Sequence, residues 1–310
     1  MKLKPTIVAA VLLLVAVPMF VGVFTRRTSD SAEFIWGKQG VQDGEFGRPR
    51  AIAIDPRTDR MFIVDFTPRI QMFNLDGKHL DLTFRTPDFR NGRPSGLSID
   101  NAGNLIVSDS HYHTVRIYDH AGVELKTLGG VAGNEPGQFG YISDCVQDAA
   151  GNYYVGEFGQ NQRITKLDAD GKFLTCWGKQ GTGPMEFNRL RALAIGPDGH
   201  LYCADACNHR IQVLTTHGEF LREFGGIGTE PGRLMYPYDL SFAPSGELYV
   251  AEYGNHRVQK FDIDGTSLGT WGKAGRGPGQ LGNPWALAVD RHGTVHVVDT
   301  ENHRVQRIKF

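Results

Sequence analysis

The chain has 310 residues, of which 40% are hydrophobic and 22% charged, so it can bury a core and is not disordered as a whole. Its 33 Lys and Arg and 34 Asp and Glu leave a net charge of −1, without the basic excess that duplex-binding proteins use to displace counterions. The 39 glycines are nearly twice the usual share of roughly 7%. These numbers predict a turn-rich β protein and disfavour bulk nucleic-acid binding.

The amino terminus carries a long uncharged stretch. Residues 6–24 hold no charged side chain, two lysines precede them, and Arg26 and Arg27 follow. This length approaches the ~20 residues of a membrane-spanning helix and exceeds the core of a typical signal peptide. We therefore predict that residues 1–30 contain one hydrophobic helix, an uncleaved membrane anchor, with residues 31–310 outside the cytoplasm. The alternative is a signal peptide whose cleavage releases a secreted body.

One sequence pattern recurs along the rest of the chain. Residues 201–213, 248–260 and 295–307 each place an acid three positions before Asn-His-Arg, which is followed by Val or Ile and then Gln. With three weaker copies, the acids recur every 44 to 48 residues, at Asp65, Asp109, Glu157, Asp205, Glu252 and Asp299. Each interval accommodates four short strands with their turns, and Asp-Gly pairs mark tight hairpins. The pattern predicts six four-stranded antiparallel blades.

The two ends of the chain predict how the blades are arranged. The last repeat stops after its third strand, whereas Phe34–Gly37 matches the fourth-strand sequence Leu268–Gly272 and precedes the first repeat. Pairing of the amino-terminal strand with the carboxy-terminal strand would close a ring and leave no open edge between its first and last blades. We therefore predict an all-β fold, a six-bladed β-propeller over residues 31–310.

The Asn-His-Arg repeats resemble those of the NHL-repeat family, and the resemblance runs from Phe34 to Phe310. It implies a platform for protein or RNA interaction, and it is shared distantly with the propeller of the amidating lyase that cleaves peptidyl-hydroxyglycine with zinc. In that lyase the zinc histidines start the inner strands of alternate blades. The matching positions here are Ser95, Arg191 and Trp285. We accordingly predict no zinc ligand, no other metal site and no cofactor.

The repeated polar residues are predicted to be structural. One acid per blade favours acceptance of backbone hydrogen bonds in its own turn. His209, His256 and His303 are expected to form hydrogen bonds between blades, and His111 and His113 to be solvated. The four cysteines are too few for a disulfide scaffold and are expected to form no disulfide; two of them are predicted core residues, Cys145 and Cys203.

A functional site is expected where the repeats differ, at the mouth of the central channel. Three sets of positions surround this mouth: those that start the inner strands, those two residues earlier and those one residue later. Together they hold five arginines, three tyrosines, a tryptophan and two aspartates. Arginine pairs with carboxylate or phosphate, and aromatic faces stack on sugars or cations. Alternatively, the arginines pair with the aspartates and fix the strands. The predicted ligand-binding residues are Arg48, Arg50, Arg93, Tyr141, Asp144, Arg189, Arg191, Tyr236, Tyr238, Asp239 and Trp285.

The favoured function is a membrane-tethered, extracytoplasmic binding or scaffold module for a protein or an anionic polymer, glycans included, with no catalytic residue. The alternative is a lyase or hydrolase at the same mouth, in which Arg50 or Arg191 stabilises an oxyanion and Tyr238 acts as general acid or base. HExxH and GxSxG motifs are missing from the sequence. RNA binding is a third reading, incompatible with an exported body.

Overall fold

The computed structural model of the chain describes residues 32–87 and 94–310. These ranges consist of strands and turns with three short 3-10 helices, at Ser110–Tyr112, Ala206–Asn208 and Thr300–Asn302. The predicted amino-terminal helix lies outside the described residues. Within the described ranges, no helix has the length and apolar character to cross a bilayer. The all-β prediction is confirmed for this part of the chain.

Six four-stranded sheets form the blades, and β1 (Phe34–Trp36) precedes them in the chain. Blade 1 contains β2–β5 (Pro49–Asp55, Arg60–Asp65, Arg69–Phe73 and His79–Arg85). Blade 2 contains β6–β9 (Pro94–Ile99, Leu105–Asp109, Thr114–Tyr118 and Glu124–Gly129). Blade 3 contains β10–β13 (Tyr141–Gln147, Tyr153–Phe158, Ile164–Leu167 and Phe173–Trp177).

The connector to the next blade forms a small parallel pair, β14 and β15 (Lys179–Gln180 and Glu186–Phe187). Blade 4 contains β16–β19 (Leu190–Ile195, Leu201–Asp205, Arg210–Leu214 and Phe220–Gly225). Blade 5 contains β20–β23 (Pro237–Phe242, Leu248–Glu252, Arg257–Phe261 and Ser267–Trp271). Blade 6 contains β24–β26 (Ala286–Val289, Val295–Asp299 and Arg304–Ile308).

The first strand completes the last blade, as predicted. Strand β1 pairs antiparallel with β26, with Phe34 opposite Arg307 and Trp36 opposite Val305. Trp36 also packs against Phe73 of blade 1, with ring centroids 4.8 Å apart. The closing blade is therefore joined to its neighbour both by a strand ladder and by an aromatic contact, and the six-bladed ring is confirmed.

The core lies between the blades. In blade 4 the middle strands β17 and β18 are buried throughout because neighbouring blades cover their faces, whereas the outer strand β19 contains half-buried and exposed residues. One cluster, for example, joins Tyr202 of blade 4 to Leu240 and Val250 of blade 5. The predicted burial of Cys145 and Cys203 is confirmed, and all four cysteines, which fall in the described ranges, are free thiols.

In five of the six repeats, the repeated acid joins separate segments of the repeat. Glu252, at the end of β21, is buried and accepts hydrogen bonds from the Met235 amide (3.1 Å), Asn255 Nδ2 (2.6 Å), Arg257 Nε (2.5 Å) and Gln259 Nε2 (3.0 Å). Asp65, Glu157, Asp205 and Asp299 each accept an amide hydrogen bond and pair with an arginine in the same way. The predicted structural role is confirmed for these five acids, but the amide that all five bind lies in the connector before the inner strand and not in the acid's own turn.

Antiparallel topology fixes which residues share the mouth. In each blade the inner strand starts at one face, which we call the upper face, and the second strand returns to it. Turns between the third and fourth strands, such as that at Asp76–Gly77, therefore lie at the opposite, lower face. The residues at the starts of β2, β6, β10, β16 and β20, with those preceding β24, consequently surround the upper end of the channel.

Candidate binding site at the channel mouth

The predicted site residues lie in two layers around the upper end of the channel. Exposed side chains form the outer ring, namely Arg48, Tyr141, Arg189 and Tyr236, together with the half-buried Asn283. Below them, the inner layer lines a cavity and comprises Arg50, Ser95, Arg191, Tyr238 and Trp285, with Asp144 and Asp239 at its base. Arg93 lies outside the described residues.

Four outer-ring residues hold a left-handed backbone conformation. The φ angles of Arg48, Arg189, Tyr236 and Asn283 are 59°, 65°, 51° and 51°. This conformation is uncommon for residues with a Cβ and costs free energy unless the surrounding structure imposes it. The ring thus keeps large polar and aromatic side chains at positions where glycine would be less strained.

Hydrogen bonds between blades impose this conformation. The amide of Arg48 donates to His303 Nδ1 (3.0 Å), that of Tyr236 to His209 Nδ1 (3.1 Å) and that of Asn283 to His256 Nδ1 (3.1 Å). Blade 3 uses a different side chain, since the amide of Arg189 donates to Gln162 Oε1 (2.8 Å). The predicted role of the three histidines is confirmed. The histidines of the repeats therefore position the ring.

The expectation that His113 is solvated is wrong. Its Nδ1 lies 2.7 Å from the carbonyl oxygen of Gly140, and its ring lies nearly parallel to that of Tyr141, with centroids 5.7 Å apart. His113 thus performs between blades 2 and 3 a task similar to that of the other three histidines. The degenerate sequence around it concealed this equivalence.

The change of His256 to Leu is expected to lower the free energy of unfolding by about 1 kcal/mol, because the Asn283 amide loses its acceptor. The change of His256 to Gln supplies an amide oxygen, as Gln162 does in blade 3, and is expected to restore most of that loss. Urea unfolding of both variants measures the difference. Equal destabilisation by Leu and Gln would contradict the role of this hydrogen bond.

Stacked cationic and aromatic groups fill the inner layer. The guanidinium carbons of Arg50 and Arg191 lie 4.8 and 5.1 Å from the ring centroid of Trp285, and that of Arg191 lies 5.1 Å from Tyr238. Tyr238 in turn stacks on Tyr253, with centroids 4.5 Å apart and an interplanar angle of 22°. Each cation–π contact stabilises the arrangement by roughly 0.5–2 kcal/mol. Sequence comparison of strand starts missed Tyr253, which belongs to the loop after β21.

Arg191 is buried at the centre of this stack. Only 8% of the residue is exposed, and its Nε has no hydrogen-bond acceptor among the described residues. Burial lowers the pKa of the Arg191 guanidinium, and the nearby Arg189 acts in the same direction. The indole Nε1 of Trp285 is buried and likewise has no acceptor in the described part of the chain.

The two aspartates bind backbone amides across blade boundaries. Asp144 accepts from the amides of Cys145 (2.9 Å) and Leu193 (3.0 Å), the second of which belongs to blade 4. Asp239 accepts from Leu240 and Leu287, both at 2.9 Å, and so joins blades 5 and 6. The alternative expectation was that the mouth arginines pair with these aspartates and so fix the strands. Instead, the aspartates fix the inner strands by accepting hydrogen bonds from backbone amides.

Burial dominates the electrostatics of these aspartates. It raises the pKa of Asp144 to about 7. Burial and repulsion by Asp144 together raise the pKa of Asp239 to about 8. A further constraint on this region is Gly96, where a Cβ would lie 2.6 Å from Asp144 Oδ1. The missing side chain of Gly96 thus allows Asp144 to occupy the base of the mouth cavity.

The aspartates separate two cavities of different character. The mouth cavity above them has a volume of about 20 Å³. The lower cavity has a volume of about 410 Å³ and is lined mainly by apolar residues from the inner strands, including Ile54, Ile99 and Leu240. The mouth cavity accommodates a group the size of one or two waters, whereas sites for drug-sized molecules are typically 300–1,000 Å³.

The arrangement does not fit a zinc site. The three positions at which the amidating lyase resemblance implies histidines hold Ser95, Arg191 and Trp285, none of which is a usual zinc ligand. Within the described ranges, no group of three His, Cys, Asp or Glu side chains is placed to hold a metal ion. The chemistry available at the mouth is hydrogen-bond donation, positive charge and aromatic stacking.

Comparison with known proteins agrees with the repeats. The NHL repeat pattern matches residues 91–118, 187–214, 234–261 and 281–308. NHL repeat-containing protein 3 of Mus musculus is 30% identical over 178 residues, which are 52% of this chain and 50% of that protein. Peptidyl-glycine alpha-amidating monooxygenase of Mus musculus is 32% identical over 119 residues, 36% of this chain and 12% of that protein. The chain thus spans at most about half the length of these curated relatives.

A solved structure shows the same fold. The structure titled streptogramin B lyase superposes with a TM-score of 0.63 at 13% identity, covering 89% of this chain and 97% of the other. At this identity the likeness concerns the fold and not the reaction. The repeat pattern, the strand order and the ring closure all agree with a six-bladed propeller of NHL repeats. The chain therefore contains NHL repeats, matched in four of its blades, and folds as a six-bladed β-propeller.

Proposed function

We propose that the chain is a membrane-tethered, extracytoplasmic binding module whose outer ring recognises a protein or an anionic polymer, glycans included. The left-handed backbone of the ring residues carries the proposal. Arginine and tyrosine occupy positions that would be less strained as glycine, which indicates that their side chains are needed at the surface. Arg48, Arg189 and Tyr236 are exposed at these positions, and Tyr141 is exposed in the same ring.

Charge favours an anionic partner. Residues 31–310 carry 29 basic and 33 acidic side chains, so the body as a whole is mildly acidic. Around the mouth, by contrast, Arg48 and Arg189 stand above Arg50 and Arg191. Arg48 pairs with Glu301, and the aspartates beneath the arginines have raised pKa values owing to burial, so positive charge remains in excess. A local basic patch on an acidic body orients an approaching anionic partner toward the mouth.

The topology supports a tether that leaves the mouth accessible. Strand β1 is an outer strand, and the outer strands run from the lower face to the upper face. A chain segment that precedes Ala32 would therefore join the propeller at the rim of its lower face. An anchor formed by residues 1–30 would place the lower face toward the membrane and the mouth away from it.

Charge reversal in the outer ring tests the proposal. The double change R48E and R189E is expected to weaken binding of fluorescent polyglutamate by at least tenfold, because two like charges replace two opposite ones at exposed positions. The affinity of the unmodified chain should fall as salt screens the ring. Fluorescence anisotropy with the full chain in mild detergent measures both effects.

A matched control separates the ring from overall charge. Lys78 and Lys172 are exposed next to lower-face turns, and the double change K78E and K172E alters the net charge equally. This control is expected to bind polyglutamate within about twofold of the unmodified chain if the site is the mouth. Equal weakening by the two double variants would exclude the outer ring as the binding site.

A lyase or hydrolase at the same mouth is the second candidate. Burial raises the pKa values of Asp144 and Asp239 into the neutral range, and both line the same cavity as Tyr238. Groups with perturbed pKa values cluster at active sites, which favours this candidate. The cavity volume of about 20 Å³ admits only a small part of a substrate. Release of glyoxylate from hydroxyhippurate, lost in Tyr238→Phe, would establish a lyase; no release by the unmodified chain would remove that activity from consideration.

A further inference from the structure

The mouth cavity is lined by a buried arginine whose Nε lacks an acceptor. Arg191 is 8% exposed, lines the cavity, and its Nε donates to no atom of the described residues. A guanidinium carries five N–H donors and no acceptor, so burial without partners is costly. An acceptor inside the cavity would remove this cost.

Neighbouring groups cover the faces of the Arg191 guanidinium but supply little to its donors. Tyr238 and Trp285 have ring centroids 5.1 Å from its central carbon. The carboxylate oxygens of Asp144 and Asp239 accept from amides of the inner strands. Aromatic faces attract the charge of Arg191 without accepting hydrogen bonds from its edge in the way that an anion would.

A second unpaired donor belongs to a residue of the cavity lining. The Nε1 of Trp285 is buried without an acceptor in the described ranges, and Trp285 also lines the cavity. Arg50 brings a second positive charge to the lining, with its guanidinium carbon 4.8 Å from the Trp285 ring. Because burial raises the pKa values of the two aspartates, these carboxyls do not fully offset the two arginines at neutral pH.

The size of the cavity restricts what it can hold. A volume of about 20 Å³ corresponds to one or two water-sized spheres. Polyatomic anions such as sulfate or gluconate exceed this space, whereas a halide is a single sphere. We propose that the mouth cavity binds one halide ion, with chloride as the physiological example, through Arg191, Arg50 and the indole N–H of Trp285. This site is independent of the proposed partner at the outer ring.

Thermal unfolding in different sodium salts tests the proposal. At constant ionic strength, exchange of gluconate for chloride or bromide is expected to raise the Tm of the full chain with a saturable dependence on halide concentration, because only the folded state has the site. Sulfate should produce no such saturable rise. A Tm that responds equally to gluconate, sulfate and chloride would overturn the proposal.

Two neighbouring arginines provide matched variants. Arg191→Met removes the buried donor and is expected to abolish the saturable halide response, whereas Arg189→Met, at the exposed ring, is expected to keep it. Retention of the response in Arg191→Met would contradict the assignment.

A direct measurement covers the case in which Arg191→Met does not fold. Crystals of the unmodified chain grown in bromide are expected to show an anomalous scattering peak within hydrogen-bonding reach of Arg191 and Trp285. A solvent peak without anomalous signal at that position would show that the cavity holds water and would refute the halide site.

Discussion

Replacement of Glu252 with alanine is expected to lower the free energy of unfolding by about 3–5 kcal/mol, the usual cost of removing one partner from a buried ion pair. Glu252 is fully buried and accepts from four donors, including Arg257, which is 9% exposed. Burial raises the pKa of Glu252, so the carboxylate itself is costly to bury. Its removal is costlier, because Arg257 would remain buried without its counter-ion.

Glu219→Ala provides the control for this experiment. Glu219 is exposed in a turn of blade 4, so its removal is expected to change the free energy of unfolding by less than about 0.5 kcal/mol. Denaturant unfolding monitored by tryptophan fluorescence compares the two variants. A loss below 1 kcal/mol for Glu252→Ala would mean that the repeated acid does not hold the repeat together.

The aspartates of the mouth are expected to make stability depend on pH. Burial raises the pKa of Asp144 to about 7, and burial with repulsion by Asp144 raises that of Asp239 to about 8, whereas an unfolded aspartate titrates near 4. Between about pH 4 and 8 the folded chain therefore binds more protons than the unfolded chain. Stability should fall as pH rises through this range, by up to roughly 2.7 kcal/mol per pH unit for the two groups together, and level off above it.

The double variant D144N and D239N is expected to lose most of this slope between pH 5 and 8. Its absolute stability is lower, because an asparagine cannot accept amide hydrogen bonds at both side-chain atoms. His209 opposes the trend below about pH 6.5, since burial lowers its pKa, but it contributes equally to both proteins and cancels in the difference. Parallel pH profiles for the two proteins would show that these aspartates titrate normally.

The fold was predictable from sequence because each blade repeats the same local sequence pattern. An acid, an Asn-His-Arg and an Asp-Gly turn recur at nearly constant spacing, so strand order follows from any one repeat. Ring closure was predictable because the last repeat lacks a fourth strand, whereas a fourth-strand sequence at Phe34–Trp36 precedes the first repeat.

The candidate site was predictable in position but not in depth. Counting from the strand starts placed Arg189 and Arg191 at the mouth. Although only two positions apart in the chain, Arg189 is exposed and Arg191 is buried. That difference depends on how the inner strands twist into the channel. The hydrogen bond from the Leu193 amide to Asp144 spans 49 residues, and the stack of Tyr238 on Tyr253 joins a strand to a loop, so neither has a local signature.

The central claim, that the outer ring of the mouth is the binding surface, is tested most directly by site-specific photo-crosslinking. The full chain would carry p-benzoylphenylalanine in place of exposed Tyr236 or, as a control, of Leu221, which is 41% exposed on the outer strand of blade 4. Irradiation with fluorescent polyglutamate is predicted to label the chain from position 236 and not from position 221. Labelling from position 221 alone, or equal labelling from both positions, would contradict a binding site at the mouth.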